Sequence, residues 1–264
     1  MTTSKHARFN RSAVAAVMVA FTAVAWADGN GEDEDDDDEG SFEEADIFLE
    51  LNHTDGDLGI HGLIDGDAWK TLEIEAPDGR QILQLKVKGI LRRQGMTEIF
   101  FESDEPSFDE LAPEKFFKRF PAGVYEIEGR TLEGEELESE AELSHVMPAP
   151  AVNVMISGMP AAENCDVDPL PMIPWPVIVS WDPVTASHPD IGETGPVEIA
   201  GYQFVVEREE PTLLVFSIDL PPTVTSMRVP GRLLRLGEEF KFEIVAREAS
   251  GNQTAVESCF DFAG

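Results

Sequence analysis

Strict alternation of apolar and polar residues begins at Asp46. Ile47, Leu49 and Leu51 alternate with Asp46, Phe48, Glu50 and Asn52, a period of two that predicts a strand with one buried face. Runs of the same kind lie at residues 59–64, 69–75, 81–88, 97–102, 123–131 and 137–146. The clearest hairpin runs from Leu72 to Val87, with Asp78-Gly79 as a favoured tight turn between two alternating arms. Seven short strands separated by turn signals predict an antiparallel sandwich over residues 45–147. One stretch breaks the period. Phe108, Leu111, Phe116, Phe117 and Phe120 lie between Ser107 and Pro121, and Pro113 suits the first turn of a short helix that Pro121 stops. Such a helix would plug one end of the sandwich.

Met147-Pro148-Ala149-Pro150-Ala151 reads as a short, stiff joint. Beyond it, residues 148–264 carry a second set of strands. They fall at 152–156, at 176–181 ending in Trp181, and at 201–209, 213–220 and 224–230. A turn at 234–239 leads into a long strand, and residues 251–262 close the sheet. The expected class is all-β: two tandem immunoglobulin-like antiparallel sandwiches, with one short helix in the first.

The amino terminus has a different character. Lys5, Arg8 and Arg11 precede an apolar run from Ala13 to Val24, and Ala25-Trp26-Ala27 is a small-residue cleavage signal. Residues 1–27 therefore read as a secretory leader, too short in its apolar part to span a bilayer comfortably. No Cys follows it, and no second long apolar run occurs. The expectation is an exported chain, periplasmic, extracellular or surface-associated, without a membrane span. Residues 28–44 hold 11 acids in 17 positions, a density of like charge that predicts a disordered tether.

Charge narrows the partners. The chain has 52 Asp+Glu against 19 Lys+Arg, a formal net charge of −33. Residues 45–147 hold 24 acids against 10 bases, and residues 148–264 hold 17 against 6, so both presumptive domains are acidic without the tail. A nucleic-acid surface needs clustered Lys and Arg and is excluded as an expectation. A protein or carbohydrate partner remains open.

The second strand set resembles a fibronectin type III domain. The likeness rests on Trp181-Asp182-Pro183, on Tyr202, on Thr225-Ser-Met-Arg-Val-Pro230, and on Leu234-x-x-Gly237-x-x-Phe240-x-x-x-Ile244-x-Ala246. The family usually carries a tyrosine where Phe240 stands, and often Pro where Leu236 stands. Phe240 cannot make the tyrosine's hydrogen bond, so this corner should lean on Leu234. The succession of leader, acidic stretch, strand domain and this module also resembles exported proteins of Gram-negative bacteria, and that resemblance brings no activity with it. The type III likeness implies binding or spacing rather than catalysis. The first and last strands of such sandwiches are neighbours, so a Cys165–Cys259 bridge is feasible in an exported chain; two buried thiols are the alternative.

Candidate chemistry is sparse. Asp55-Gly56-Asp57 and Asp65-Gly66-Asp67 repeat an Asp-Gly-Asp unit ten residues apart. If both loops met at one end of the sandwich, Asp55, Asp57, Asp65 and Asp67 could ligate Ca²⁺, the one ion this sequence invites; Asp-Gly as turn chemistry is the competing explanation. No other cofactor is expected. His53 and His61 read as solvated, since a separation of eight on β-structure gives no ligand spacing. His145 and His188 lie in no catalytic motif. No G-x-S-x-G, H-E-x-x-H, P-loop or G-x-G-x-x-G occurs. The leading expectation is thus a non-enzymatic exported interaction, adhesion or spacer module. A calcium-dependent adhesion or carbohydrate-binding module, and a hydrolase with paired carboxylates, are the alternatives.

Overall fold

A computed structural model describes residues 40–264; the leader and most of the acidic stretch lie outside the described residues. The fold is all-β, as the alternation predicts. The first strand set comprises β1 (Glu44–Asn52), β2 (Asp57–Glu75), β3 (Gln81–Lys86), β4 (Met96–Glu102), β5 (Gly123–Thr131) and β6 (Glu136–Leu143), with short helices α1 (Leu91–Gln94) and α2 (Pro113–Arg119). Two helices stand where one was expected. Pro113 opens α2, and Phe116 is buried in the sandwich end as anticipated. The Asp78-Gly79 turn joins β2 to β3, with Gly79 at φ 74°.

Residues 59–64 and 69–75 were expected as separate strands. They belong to one 19-residue strand, β2. The Asp65-Gly66-Asp67 segment does not end it but bends it. On one side of the bend β2 pairs with β1 and β4, on the other with β3 and β5, and the register slips between Asp65 and Trp69. Such an irregularity turns a strand from one layer into the next. Glycine suits the bend, because a Cβ on Gly66 would crowd the buried Phe42 ring at 3.2 Å. On the far side of that ring a Cβ on Gly129 would come to 2.6 Å. Phe42 thereby fills the corner of a core built on Leu49, Leu51, Trp69, Leu72, Tyr125 and Ile127.

The second set comprises β7 (Met155–Ile156), β8 (Met159–Pro160), β9 (Met172–Ile173), β10 (Ile178–Ser180), β11 (Ile199–Arg208), β12 (Leu214–Leu220), β13 (Ser226–Arg228), β14 (Glu239–Glu248) and β15 (Gln253–Phe262). One sheet runs β13-β10-β7-β8, and facing it β12-β11-β14-β15. Leaving aside the two-residue β8 and β9, this is the strand arrangement of a fibronectin type III sandwich: β10 lies between β7 and β13, and β11 between β12 and β14. Trp181 stacks on Phe204 at 6.3 Å and meets Tyr202 edge-on at 5.4 Å. Phe240 and Leu234 are both buried at the corner. The tyrosine corner occurs instead in the first set, where the Tyr125 hydroxyl donates to the Pro121 carbonyl at 3.0 Å. Cys165 is disulfide-bonded to Cys259 on β15.

The two sandwiches share a sheet. β1 pairs in parallel with β15 through Glu50↔Gln253, Leu51↔Thr254 and Asn52↔Ala255, giving one 11-stranded sheet. The type III edge strand is thus covered rather than left open. The Pro-rich joint is equally tied down. Met147 is fully buried, His188 donates its N–H to the Met147 carbonyl at 2.7 Å, and Thr254 Oγ1 donates to the Pro148 carbonyl at 2.7 Å. Buried side chains and hydrogen bonds to neighbouring segments leave the joint little freedom. Among the described residues no helix is long and apolar enough to cross a membrane.

Candidate functional site

Because β1 continues the sheet of β15, the polar faces of both sandwiches merge. On β1 the odd positions Ile47, Leu49 and Leu51 enter the core, so Phe48, Glu50 and Asn52 share the other face. Their partners on β2 are His61 opposite Phe48, Gly59 opposite Glu50 and Asp57 opposite Asn52. β4 adds Glu102 opposite His61.

The loop after β4 folds back over this face. The Ser103 N–H donates to the Ile60 carbonyl at 3.0 Å, and the Phe108 N–H to the Gly56 carbonyl at 2.8 Å. That brings Glu105 above Gly59, where a Cβ would lie 2.3 Å from Glu105 Oε1. Glu50, His61 and Glu105 consequently converge, with one ligand atom from each lying within 4.8 Å of the others. His61 Nε2 is 3.3 Å from Glu105 Oε1. The imidazole is held between Phe48, at 5.2 Å, and Phe100, edge-on at 5.7 Å. Gln253 Nε2 donates to the Glu50 carboxylate, and Arg247 Nε donates to Gln253 Oε1 at 2.9 Å.

The electrostatics are unbalanced. Burial pushes the Glu50 carboxyl up to about 7, against the opposing pull of His61. Burial, then the charges of Glu105, Asp55 and Glu50, push Asp57 up to about 7. Its Oδ1 is buried without a hydrogen-bond partner. His61 is 3% exposed, and burial alone would lower its pKa. The Glu105 hydrogen bond and the charges of Glu50, Glu105 and Glu102 outweigh that and hold it above its ordinary value. Three carboxylates, Glu50, Glu102 and Glu105, thus act on a single imidazole.

Next to this group, Lys241 lies 3.2 Å from Glu207, 2.7 Å from Glu243 and 3.2 Å from Glu257. Asn52 Nδ2 donates to Glu257 at 2.8 Å, linking the two clusters across the β1–β15 pairing.

The residues expected to hold Ca²⁺ are not brought together. Asp55 is exposed in the β1–β2 turn, where its N–H donates to Asn52 Oδ1, and Asp57 opens β2. Asp65 pairs with Glu44 at the opposite end of the same hairpin, with its Oδ1 accepting the Gly66 N–H at 2.9 Å, and Asp67 follows in the bend. Eight residues of strand separate Asp57 from Asp65, about 26 Å at ~3.3 Å per residue. The expectation of a solvated His61 is overturned, since the strand pairing buries it between two phenyl rings. His53 Nδ1 lies 3.1 Å from His188 Nε2, while His188 Nδ1 accepts the N–H groups of Asp190 and Ile191. His145 Nε2 donates to the Phe120 carbonyl at 2.7 Å.

Glu50 and Glu105 were not singled out from the sequence. Alternation placed Glu50 on the polar face, but Glu105 arrives from a loop 44 residues beyond His61, and no local spacing encodes that approach.

No known protein family model matches the chain, and no curated protein matches it. Among solved structures it is similar to a two-domain fibronectin type III segment of chicken tenascin, at 10% identity over 83% of this chain and 98% of that one, TM-score 0.27. It is also similar to domains FN1–FN3 of chicken CNTN1, at 9% identity over 84% of this chain and 66% of that one, TM-score 0.33. Likeness at this level carries no argument; the type III character of the second sandwich rests on its strand order.

Proposed function

We propose that the protein is a non-enzymatic exported module that binds a protein or carbohydrate partner, or spaces other elements, in the periplasm or at the cell surface. The observation that carries this reading is the parallel pairing of β1 with β15. It joins two sandwiches through backbone hydrogen bonds, so they present one continuous face instead of two bodies on a tether. The type III strand order, the leader-like amino terminus and the Cys165–Cys259 bridge agree with an oxidising compartment and with a scaffold used for recognition. The test is a titration of labelled protein against envelope fractions of Gram-negative cells, untreated or pretreated with protease or glycosidase. Saturable binding abolished by one pretreatment identifies the partner class. Binding that stays linear up to about 100 μM removes the interaction reading, and a variable inter-sandwich angle in solution scattering removes the spacer reading.

A further inference from the structure

We propose that Glu50, His61 and Glu105 form a binding site for a first-row divalent transition metal, with Zn²⁺ as the best-matched ion. The inference stands apart from the interaction reading and rests on ligand chemistry. One imidazole nitrogen and two carboxylates are a donor set suited to zinc, whereas calcium takes oxygen ligands alone. The geometry agrees. Bonds of about 2.0–2.1 Å in a tetrahedron place neighbouring ligand atoms about 3.3 Å apart. His61 Nε2 and Glu105 Oε1 stand at 3.3 Å. The Glu50 oxygen, within 4.8 Å of both, needs an approach of no more than about 1.5 Å to complete three protein ligands and leave a fourth position for water.

Three further features point to an ion rather than to an accidental gathering of acids. Gly59 clears the space through which Glu105 reaches His61. Phe48 and Phe100 hold the imidazole from both sides, so its orientation is set before any ion arrives. Gln253, donating to Glu50 and itself held by Arg247, is the outer contact that fixes a ligating carboxylate. Glu50 lies on β1 opposite Gln253 of β15, and Glu105 on the loop laid over β2. A bound ion would therefore staple that loop to the strand that joins the two sandwiches.

The test is titration of the purified, disulfide-intact protein with Zn²⁺ alone, by calorimetry and by thermal melting, with Ca²⁺ in parallel and Co²⁺ absorbance as a report of tetrahedral nitrogen–oxygen ligation. One tight site per chain is expected, preferred over Ca²⁺ at least tenfold and raising the melting temperature. His61→Gln and Glu105→Gln should each weaken it about 100-fold, and Gln253→Leu about tenfold. His188→Gln, at the other histidine pair, should leave it unchanged. Glu105→Gln changes a loop residue, so it keeps the test valid should His61→Gln fail to fold. A Zn²⁺ affinity unaltered by Glu105→Gln, or a site that prefers Ca²⁺, overturns the proposal.

Discussion

The side-chain oxygen of Asn252 accepts the backbone N–H of Leu49 at 2.8 Å. The two residues are 203 apart in sequence, and the bond spans the two sandwiches at the start of the β1–β15 pairing. The Asn252 amide nitrogen donates in the other direction, to the Ser144 carbonyl at 2.9 Å and the Val146 carbonyl at 3.1 Å. With Asn252 1% exposed, water cannot replace these bonds.

Asn252→Ala should therefore destabilise the protein by about 2–4 kcal/mol, since it strands one buried donor and two acceptors. Asn252→Asp keeps the acceptor for Leu49 but sets a buried carboxylate oxygen against the Ser144 and Val146 carbonyls, so at neutral pH it should cost at least as much. Chemical denaturation measures both; a loss below about 0.5 kcal/mol for the alanine variant would show that the clip is dispensable.

The Lys241 cluster predicts an unusual pH dependence. Glu257 faces Glu243 and Lys241 of β14, Asp55 of the β1–β2 turn and Asn52 of β1, and Glu207 of β11 faces the same lysine. One ammonium cannot balance three carboxylates. Burial first, then the Glu243 charge, raise Glu257 well above its ordinary value of 4.5, and Lys241 only partly opposes this; burial likewise raises Glu207. An acid whose pKa is raised by folding gives stability that is complete below its unfolded value and is lost as pH rises through the folded one. The melting temperature should climb as pH falls from about 8 to about 5.5. Glu257→Gln should flatten that climb by on the order of 1–2 kcal/mol. An identical slope in wild type and variant would rule out Glu257 as its source.

Tyr125 closes the corner before β5 through its hydroxyl bond to Pro121. Tyr125→Phe keeps the fully buried ring and removes one bond, so a loss of about 0.5–1.5 kcal/mol is expected by denaturant midpoint. No loss would mean that ring packing alone shapes this corner, as at Phe240.

The Cys165–Cys259 bridge closes a separation of 94 residues. On the chain-entropy view, reduction or a double Ser substitution should cost about 4–5 kcal/mol. Two titratable thiols in denatured, unreduced protein would refute the bridge itself.

Much of the fold is legible because strand period and turn chemistry are local. Ile47, Leu49 and Leu51 declare their buried face without knowledge of their partners. Pro113 and Pro121 bracket a helix for reasons contained in their own rings, and Trp181, Tyr202 and Leu234 mark the second sandwich by order and spacing. The single 19-residue β2 was hidden for the opposite reason. Asp65-Gly66-Asp67 carries turn residues, and whether they end a strand or bend it depends on Phe42 and Gly129 filling the corner.

The site shows the same division more sharply. The amino-acid order alone settled the all-β class, the acidic character and the short helix opened by Pro113, because each follows from periodicity, charge or composition within a short window; it made the Cys165–Cys259 bridge feasible without deciding it. The meeting of Glu50, His61 and Glu105, the distance between the Asp-Gly-Asp pairs, and the merging of two sandwiches into one sheet arise from contacts between distant segments. Strand register and loop closure, set by packing of the whole chain, choose those partners, and no local pattern encodes them.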